Sequence, residues 1–224
     1  MASERAARLR GLYAVTRDTP DTPALHASAA QCLAGGAALL QYRFKALDAA
    51  KALEQARALA VLCREAGALF IVNDSLDLAH ACGADGVHLG RDDIDVATAR
   101  RRLPGAIIGA SCYDDPSAAI AAARAGADYV AIGSVFTSPT KPGARRASLE
   151  SIAAAARVSG LPVAAIGGID ASNAQSVIDA GADMLAVVSA LFDAPDVERA
   201  ARELARLFET SSRRSDARTQ PRPL

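Results

Sequence analysis

A short turn that recurs along the chain limits the choice of folds more than any other feature. In each copy a helical stretch ends in Gly-Ala-Asp and a short apolar strand follows at once. The clearest copies begin at Cys82, Ala125 and Ala180. Glycine at this place suits the left-handed cap that closes a helix. Each copy therefore predicts a helix followed by a strand.

Looser copies at 34–42 and 65–72, with further apolar segments at 12–16, 107–111 and 162–166, bring the predicted strands to eight. The helical patterns between them span 23–35, 48–66, 75–82, 95–103, 116–125, 148–158, 171–180 and 196–209. Apolar strands that alternate with helices are typical of a parallel sheet covered by helices. Eight such units in 224 residues predict an α/β fold, a single (β/α)8 barrel with parallel strands. The alternative is a doubly wound open sheet, which would usually need fewer strands.

The predicted barrel accounts for most of the chain. We assign residues 1–10 to a loose N-terminal lead-in, 11–210 to the barrel as the catalytic domain, and 211–224 to a disordered tail. The tail is rich in Arg, Ser and Pro and has almost no apolar residues, a composition that cannot bury a core.

Composition and charge argue against several classes of protein. Lys+Arg and Asp+Glu both total 25, so the net charge gives no reason to expect nucleic acid or an anionic membrane as a partner. No apolar run reaches the roughly 18 residues of a membrane span. The four cysteines show no metal-binding spacing, and the chain does not open like a signal peptide. We therefore predict a cytoplasmic protein with free thiols. The sequence leaves the oligomeric state open, a homo-oligomer included.

Two acidic residues follow neighbouring predicted strands. Asp74 ends the run Leu-Phe-Ile-Val-Asn-Asp, and Asp93 follows Gly-Val-His-Leu-Gly-Arg-Asp. Because parallel strands end at the same edge of a sheet, we expect the two carboxylates to lie close together. Mg²⁺ is typically held by one or two carboxylates plus substrate phosphates. The alternative is that each Asp caps the helix that follows it.

Other polar groups gather at the carboxyl ends of the strands, where barrels of this kind have their active sites. Alternation along strand 2 sends Gln41, Arg43 and Lys45 to one side, which predicts an anion clamp because Arg binds phosphate in a fork. The alternative is that this Arg and Lys are simply solvated. The glycines at 167–168 and the segment 187–189 match the phosphate site that many barrels form after strands 7 and 8.

Two anion-binding regions predict a reaction that joins two phosphorylated molecules with loss of diphosphate. Such a reaction needs no nucleophilic side chain, and we find no arrangement of Ser, His and Asp or of Cys and His that implies one. The loop at 136–142 adds hydroxyls and an ammonium group. We interpret His88, in strand 4, as a core histidine with satisfied hydrogen bonds; the alternative is a catalytic one.

These motifs, in this order, resemble the thiamine phosphate synthase family from Gly11 to Pro195. The resemblance is carried by Gln41-x-Arg43-x-Lys45, Asn73-Asp74, His88-Leu-Gly-x-x-Asp93 and Pro139-Thr-Lys141. It implies a barrel enzyme that couples 4-amino-5-hydroxymethyl-2-methylpyrimidine diphosphate to 4-methyl-5-(2-hydroxyethyl)thiazole phosphate. The products are thiamine phosphate and diphosphate, and diphosphate is thought to leave before the thiazole nitrogen attacks.

The resemblance also implies roles for individual residues. Asp74 and Asp93 would hold Mg²⁺ on the diphosphate. The pyrimidine diphosphate would be bound by Gln41, Arg43, Lys45, Asn73, Ser111 and Lys141. The thiazole phosphate would be received by Ser138, Pro139, Thr140, Gly168, Val188 and Ser189.

The chain departs from the family pattern at three places. Thr137-Ser138 stands where Pro-Thr is common, Arg91 replaces a common Gln, and one additional residue lies between Ser111 and strand 6. Two other functions fit parts of the pattern. A thiazole tautomerase-like isomerase on the same barrel would lack the metal carboxylates and pyrimidine contacts. A non-catalytic barrel that binds thiamine precursors and regulates a partner would lose the metal pair or the clamp. Since all these residues are present, we predict the synthase.

Overall fold

A computed structural model of the chain describes residues 8–45, 48–137 and 146–219, with side chains as far as Glu209. In this part of the chain eight parallel strands close into a barrel in chain order, and β1 pairs with β8. The strands are β1 Gly11–Val15, β2 Leu39–Tyr42, β3 Leu69–Asn73, β4 Gly86–Leu89, β5 Ile107–Tyr113, β6 Tyr129–Gly133, β7 Val163–Ile166 and β8 Met184–Val187. The predicted (β/α)8 barrel is confirmed, and the open sheet is wrong.

Helices connect the strands and cover the barrel. They are α1 Thr22–Ala34, α2 Ala49–Ala66, α3 Leu76–Cys82, α4 Val96–Arg102, α5 Pro116–Ala125, α6 Leu149–Ser159, α7 Ala174–Asp179, α8 Ser189–Phe192 and α9 Val197–Thr219. As the recurring turn predicts, α3 and α5 end at Gly83 and Gly126, both in the left-handed conformation. Among the described helices none is long and apolar enough to cross a lipid bilayer.

The aspartate of the recurring turn has a structural role that the sequence pattern did not reveal. Its carboxylate accepts a hydrogen bond from a backbone N–H at the start of the preceding strand. The three bonds are Phe70 N to Asp85 (2.8 Å), Ile108 N to Asp128 (2.8 Å) and Val163 N to Asp183 (2.9 Å). They tie β3 to β4, β5 to β6 and β7 to β8 at the amino ends of the strands. This end of the barrel is opposite to the one that carries the polar groups discussed below.

The core has two layers, one between barrel and helices and one inside the barrel. Inside, Tyr13 and Tyr129 are the largest side chains, and both are buried. A β-carbon at Gly109 would lie 2.1 Å from the Tyr129 ring, so glycine at this position makes room for the tyrosine. Close packing of this kind leaves polar groups inside the barrel no partners except each other.

Three features differ from the predicted element boundaries. Leu9, assigned to the lead-in, is buried with the core inside the barrel. The one-turn helix α8 was not predicted, because four residues are too short for a periodic pattern. Helix α9 continues to Thr219 instead of ending near 209, since no glycine or proline interrupts the chain before Pro221. The predicted tail is therefore helical as far as Thr219.

Candidate functional site

Asp74 and Asp93, here called the acid pair, lie at the carboxyl ends of two neighbouring strands. The Asp74 N–H donates to the carbonyl of His88 (2.8 Å), and the Gly90 N–H donates to an Asp93 carboxylate oxygen (2.7 Å). Neither residue caps a helix. Ser75 caps α3 and Asp95 caps α4 through their own side chains. The helix-cap alternative is thus wrong for both aspartates.

The two carboxyl groups of the acid pair lie within hydrogen-bonding reach of each other. Partial burial, and then the neighbouring Asp93, raise the pKa of Asp74 to about 6. Lys45 and Arg43 act in the opposite direction, so both cations are close enough to influence this carboxyl. Asp74 also has a left-handed backbone with φ of 65°, which Asp and Asn tolerate better than most residues. The site therefore concentrates negative charge at a point flanked by cations.

Replacing Asp74 by Asn should stabilise the metal-free protein at neutral pH. The pKa of Asp74 is about 6 in the folded chain, above the roughly 3.9 of an unfolded chain. The folded state therefore binds more protons in this window, and stability is lost as the pH rises through about 6. After allowance for solvent screening of this half-exposed group, Asn should contribute roughly 1 kcal/mol at pH 7.5. It should contribute little at pH 4.

Urea unfolding at both pH values measures this difference. Asp92→Asn is the matched control, because Asp92 is an exposed neighbour of the acid pair. A D74N variant that is no more stable than D92N at pH 7.5 would contradict the repulsion we describe.

The clamp residues extend from the barrel interior to its mouth. Gln41 is buried, Arg43 is half-buried and Lys45 is exposed. The loop after β1 holds their backbone: Thr16 Oγ1 accepts from the Arg43 N–H (3.0 Å), and Asp18 accepts from the Lys45 N–H (3.1 Å). Within the described residues neither cationic head group forms an ion pair closer than 4 Å. Hydrogen bonds thus fix the backbone of the clamp, and its charges are close enough to lower the pKa of Asp74.

A chain of hydrogen bonds crosses the barrel interior from β2 to β5. Four bonds form it: Gln41 Nε2 to Tyr13 OH (2.7 Å), Tyr13 OH to Tyr129 OH (2.8 Å), Tyr129 OH to His88 Nδ1 (2.9 Å) and His88 Nε2 to Ser111 Oγ (2.9 Å). Burial lowers the pKa of His88 to about 4, so its ring is neutral at physiological pH. The interpretation of His88 as a core histidine with satisfied hydrogen bonds is confirmed.

Tyr13 and Tyr129 were missed at the level of sequence. Each looks like an ordinary aromatic residue of a buried strand, and the two are 116 positions apart. The available signal was Gly109, a glycine inside an otherwise apolar strand, which indicates that a bulky side chain approaches closely.

Ser111 lies at an irregular place in β5. Ser111 pairs with Ala131 and Tyr113 pairs with Ile132, so Cys112 forms a bulge between them. A bulge re-aims the side chains beside it. Ser111 and Asp93 both line a cavity of about 290 Å³ whose other walls include α4 and α5. At this edge the Arg91 guanidinium carbon lies 4.5 Å from the centroid of the Tyr113 ring, a cation–π contact.

The pair Gly167–Gly168 after β7 packs directly against the segment after β6. The Phe136 N–H donates to the carbonyl of Gly167 (2.9 Å), and a β-carbon at Gly168 would lie 2.4 Å from the carbonyl oxygen of Thr137. Gly168 has φ of 63°, and Asn173 Nδ2 donates to its carbonyl (2.9 Å). Only glycine permits this close approach.

Of the remaining predicted residues, three lie in the described part of the chain and four lie outside it. Asn73 is half-buried at the end of β3, beside the acid pair. Val188 and Ser189 form the start of α8, directly after β8, where many barrels add a short helix to a phosphate site. The predicted residues of the loop after β6 lie outside the described part of the chain: Ser138, Pro139, Thr140 and Lys141.

Comparison with known proteins gives a consistent picture. Residues 12–191 match a family model described as thiamine monophosphate synthase. A thiamine-phosphate synthase of Thiobacillus denitrificans is 59% identical over 199 residues, which are 88% of this chain and 94% of the relative. A second, from Aromatoleum aromaticum, is 57% identical over 203 residues, which are 90% of this chain and 98% of the relative.

Solved structures extend the comparison. A thiamine phosphate pyrophosphorylase from Pyrococcus furiosus has a TM-score of 0.83 and 38% identity, covering 91% of this chain and 97% of that one. A tryptophan synthase from Mycobacterium tuberculosis has a TM-score of 0.69 at 17% identity, covering 92% of this chain and 96% of that one. The second likeness shows the fold alone.

Proposed function

The chain belongs to the thiamine monophosphate synthase family, and we propose from this that it is a transferase that makes thiamine phosphate. Its substrates are 4-amino-5-hydroxymethyl-2-methylpyrimidine diphosphate and 4-methyl-5-(2-hydroxyethyl)thiazole phosphate, and diphosphate is the second product. The observation that carries the proposal is the acid pair with Arg43 and Lys45 beside it. This arrangement suits a diphosphate bound through a divalent cation.

The acid pair fits a magnesium ion by its chemistry. Mg²⁺ prefers oxygen ligands and commonly takes one or two protein carboxylates, with waters and substrate phosphates completing its shell. Among the described residues no three His, Cys, Asp or Glu side chains form a metal cluster. This is the donor set expected when the substrate supplies the remaining ligands. Bound there by Asp74 and Asp93, Mg²⁺ would neutralise charge on the leaving diphosphate.

The cations of the clamp stabilise the same leaving charge from the other side. Arg43 can bind two phosphate oxygens in a fork, and Lys45 adds a point charge at the mouth. Because neither forms an ion pair with a described carboxylate, both are available to the diphosphate. Donors that are already in place need no reorganisation as the carbon–oxygen bond breaks, so they lower the barrier. The barrel then needs no nucleophile of its own.

In this proposal the thiazole phosphate binds at the opposite part of the mouth. Gly168 allows the segment after β6 to lie against β7, and Val188 and Ser189 supply the start of α8. Backbone N–H groups at such a place bind phosphate well. With one anion held at each part of the mouth, the thiazole nitrogen is directed at the carbon that loses diphosphate. Positioning of this kind accounts for much of the rate in reactions between two substrates.

The described residues argue against the two alternative functions. A tautomerase has no use for the acid pair or for Asn73 beside it, and a non-catalytic barrel has no reason to keep Arg43 and Lys45 clear of every described carboxylate. The cytoplasmic location and the partners, small phosphorylated substrates with or without a second copy of the chain, stay predictions. All four cysteines are free and buried, as a reducing compartment allows.

Synthesis from the two purified precursors tests the proposal. Purified protein with Mg²⁺ and both phosphorylated substrates should release thiamine phosphate and diphosphate in equal amounts. Omitting Mg²⁺, or adding a chelator, should stop the reaction, and restoring Mg²⁺ should recover it. Isomerisation of a thiazole carboxylate phosphate without coupling would instead identify the tautomerase. Binding of both precursors without product would identify the regulatory barrel.

A further inference from the structure

The hydrogen-bond chain inside the barrel connects two residues predicted to touch the pyrimidine diphosphate. Gln41 lies at one end, on β2, and Ser111 at the other, on β5. Tyr13 on β1 and Tyr129 on β6 are not on neighbouring strands, so the bond between them crosses the interior. No buried polar side-chain atom of the described residues lacks a hydrogen-bond partner. The three residues in the middle therefore form a complete link between the two ends.

The number of available hydrogens restricts which group can be the donor in each bond of the hydrogen-bond chain. Each tyrosine hydroxyl has one hydrogen to donate, and each neutral histidine ring has one N–H and one acceptor nitrogen. Suppose that Gln41 donates to Tyr13 while His88 donates from Nδ1 to Tyr129. One tyrosine hydrogen then has no acceptor, which is strongly unfavourable for a buried group. A doubly protonated His88 fails in the same way while Gln41 donates to Tyr13, and burial keeps the ring neutral in any case. With a neutral ring only two arrangements satisfy every group, and in each all donors point in one direction.

The orientation of the Gln41 amide selects one of the two. Its Nε2 faces Tyr13, so the donors run from Gln41 through Tyr13 and Tyr129 to His88 Nδ1. His88 then has its hydrogen on Nε2 and donates it to Ser111 Oγ. The hydroxyl hydrogen of Ser111 and the carbonyl oxygen of Gln41 remain for a ligand.

We propose that Tyr13, Tyr129 and His88 are positioning residues that fix a hydrogen-bond donor at Ser111 and an acceptor at Gln41. This inference rests on the proposed function, because its ligand is the pyrimidine diphosphate of that reaction. An acceptor at Gln41 matches the amino group of the pyrimidine, and a donor at Ser111 matches an oxygen of the anionic diphosphate. In the reversed arrangement the amide would present its NH₂ to an amine, and Ser111 would present lone pairs to an anion. The direction of donation along the hydrogen bonds thus allows Gln41 and Ser111 to recognise the two halves of one substrate.

The tautomer of His88 reports this direction without any substrate. The chain has three histidines, and His26 and His80 are exposed, so His88 gives a separable signal in ¹⁵N NMR of labelled protein. In the ligand-free wild type we expect a single tautomer, with the hydrogen on Nε2 and with Nδ1 unprotonated. A hydrogen on Nδ1, or rapid averaging between the two tautomers, would overturn the proposal.

Gln41→Glu tests whether the amide sets the direction. A carboxylate only accepts hydrogen bonds, so Tyr13 must donate to it and every later bond must reverse. We expect His88 to change to the Nδ1–H tautomer. Tyr13→Phe is the matched control because it interrupts the hydrogen-bond chain between Gln41 and His88. The double variant Tyr13→Phe/Gln41→Glu should therefore have the same His88 tautomer as Tyr13→Phe alone. An unaltered tautomer in Gln41→Glu, or a change that survives the interruption, would refute the link.

Gln41→Leu covers the case in which a buried carboxylate prevents folding. Leucine cannot accept a hydrogen bond, so the Tyr13 hydroxyl must still donate to Tyr129 and His88 should keep the Nε2–H tautomer. A change to the Nδ1–H tautomer in this variant would contradict the hydrogen count on which the link rests. The NMR results concern only this chain of bonds, whereas thiamine phosphate synthesis tests the function. Synthesis with the wrong tautomer would refute the present inference alone, and the predicted tautomer without synthesis would refute the function alone.

Discussion

Replacing either member of the acid pair by asparagine should lower the rate of thiamine phosphate synthesis by roughly 10²–10³-fold, the range found when one group that stabilises developing charge is removed. The amide lacks the negative charge that holds the magnesium ion. Asn is preferred to Ala because Asp74 has a left-handed backbone, which Asn tolerates, and because an amide oxygen at Asp93 can still accept from Gly90. The steady-state rate at saturating Mg²⁺ and a Mg²⁺ titration measure the effect.

Two measurements separate a lost metal site from a damaged fold. Asp92→Asn removes an exposed charge beside the pair and should leave the rate within twofold of the wild type. Binding of the thiazole phosphate, followed by calorimetry, should be retained in D74N and D93N because its predicted site lies after β7 and β8. Undiminished synthesis in either variant would refute the metal assignment, and loss of thiazole phosphate binding in both would point to a general disturbance.

The same substitution at Asp74 is thus expected to stabilise the protein and inactivate it. Both effects have one cause, the charge concentrated at the acid pair, which costs stability in the metal-free state and holds the ion in the bound state. Functional sites often keep strain of this kind at the expense of stability. Measuring both properties in one variant is therefore more informative than measuring either alone.

Much of the fold and part of the site could be predicted because they depend on local sequence. The recurring Gly-Ala-Asp turn marks where three of the helices end and a strand begins, and a closed barrel places strand ends together without further information. Asp74 and Asp93 were identified as a pair for this reason. The alternative that they cap helices could be rejected only in the structure, where Ser75 and Asp95 do so instead.

What could not be predicted depends on contacts between distant parts of the chain. The bond between Tyr13 and Tyr129 crosses the barrel, and nothing near either residue in sequence indicates it. Helix α8 has four residues, too few for a periodic pattern, so the sequence indicated a phosphate site at 187–189 but not the helix that begins at Ser189. The bulge at Cys112 depends on the pairing of β5 with β6, which alternation along one strand does not reveal.

Gly168→Ala should raise the KM for the thiazole phosphate at least tenfold while changing the KM for the pyrimidine diphosphate little. The added methyl group would lie 2.4 Å from the carbonyl oxygen of Thr137, a backbone atom that moves only with the segment after β6. That segment leads into the predicted residues 138–140, so the contact would displace one wall of the proposed phosphate site. Displacement by about 1 Å is enough to weaken positioning strongly.

Gly83→Ala is a suitable control because it separates steric displacement from backbone strain. Gly83 has φ of 69°, close to the 63° of Gly168, but a β-carbon there would meet no atom within 4 Å. Both variants should lose roughly 1–2 kcal/mol for a left-handed alanine, and only G168A should change the KM. Equal KM values for the thiazole phosphate in the two variants would show that the close approach of β7 to the segment after β6 does not shape this site. A tenfold difference would show that the absence of a side chain at Gly168 is part of how the phosphate is recognised.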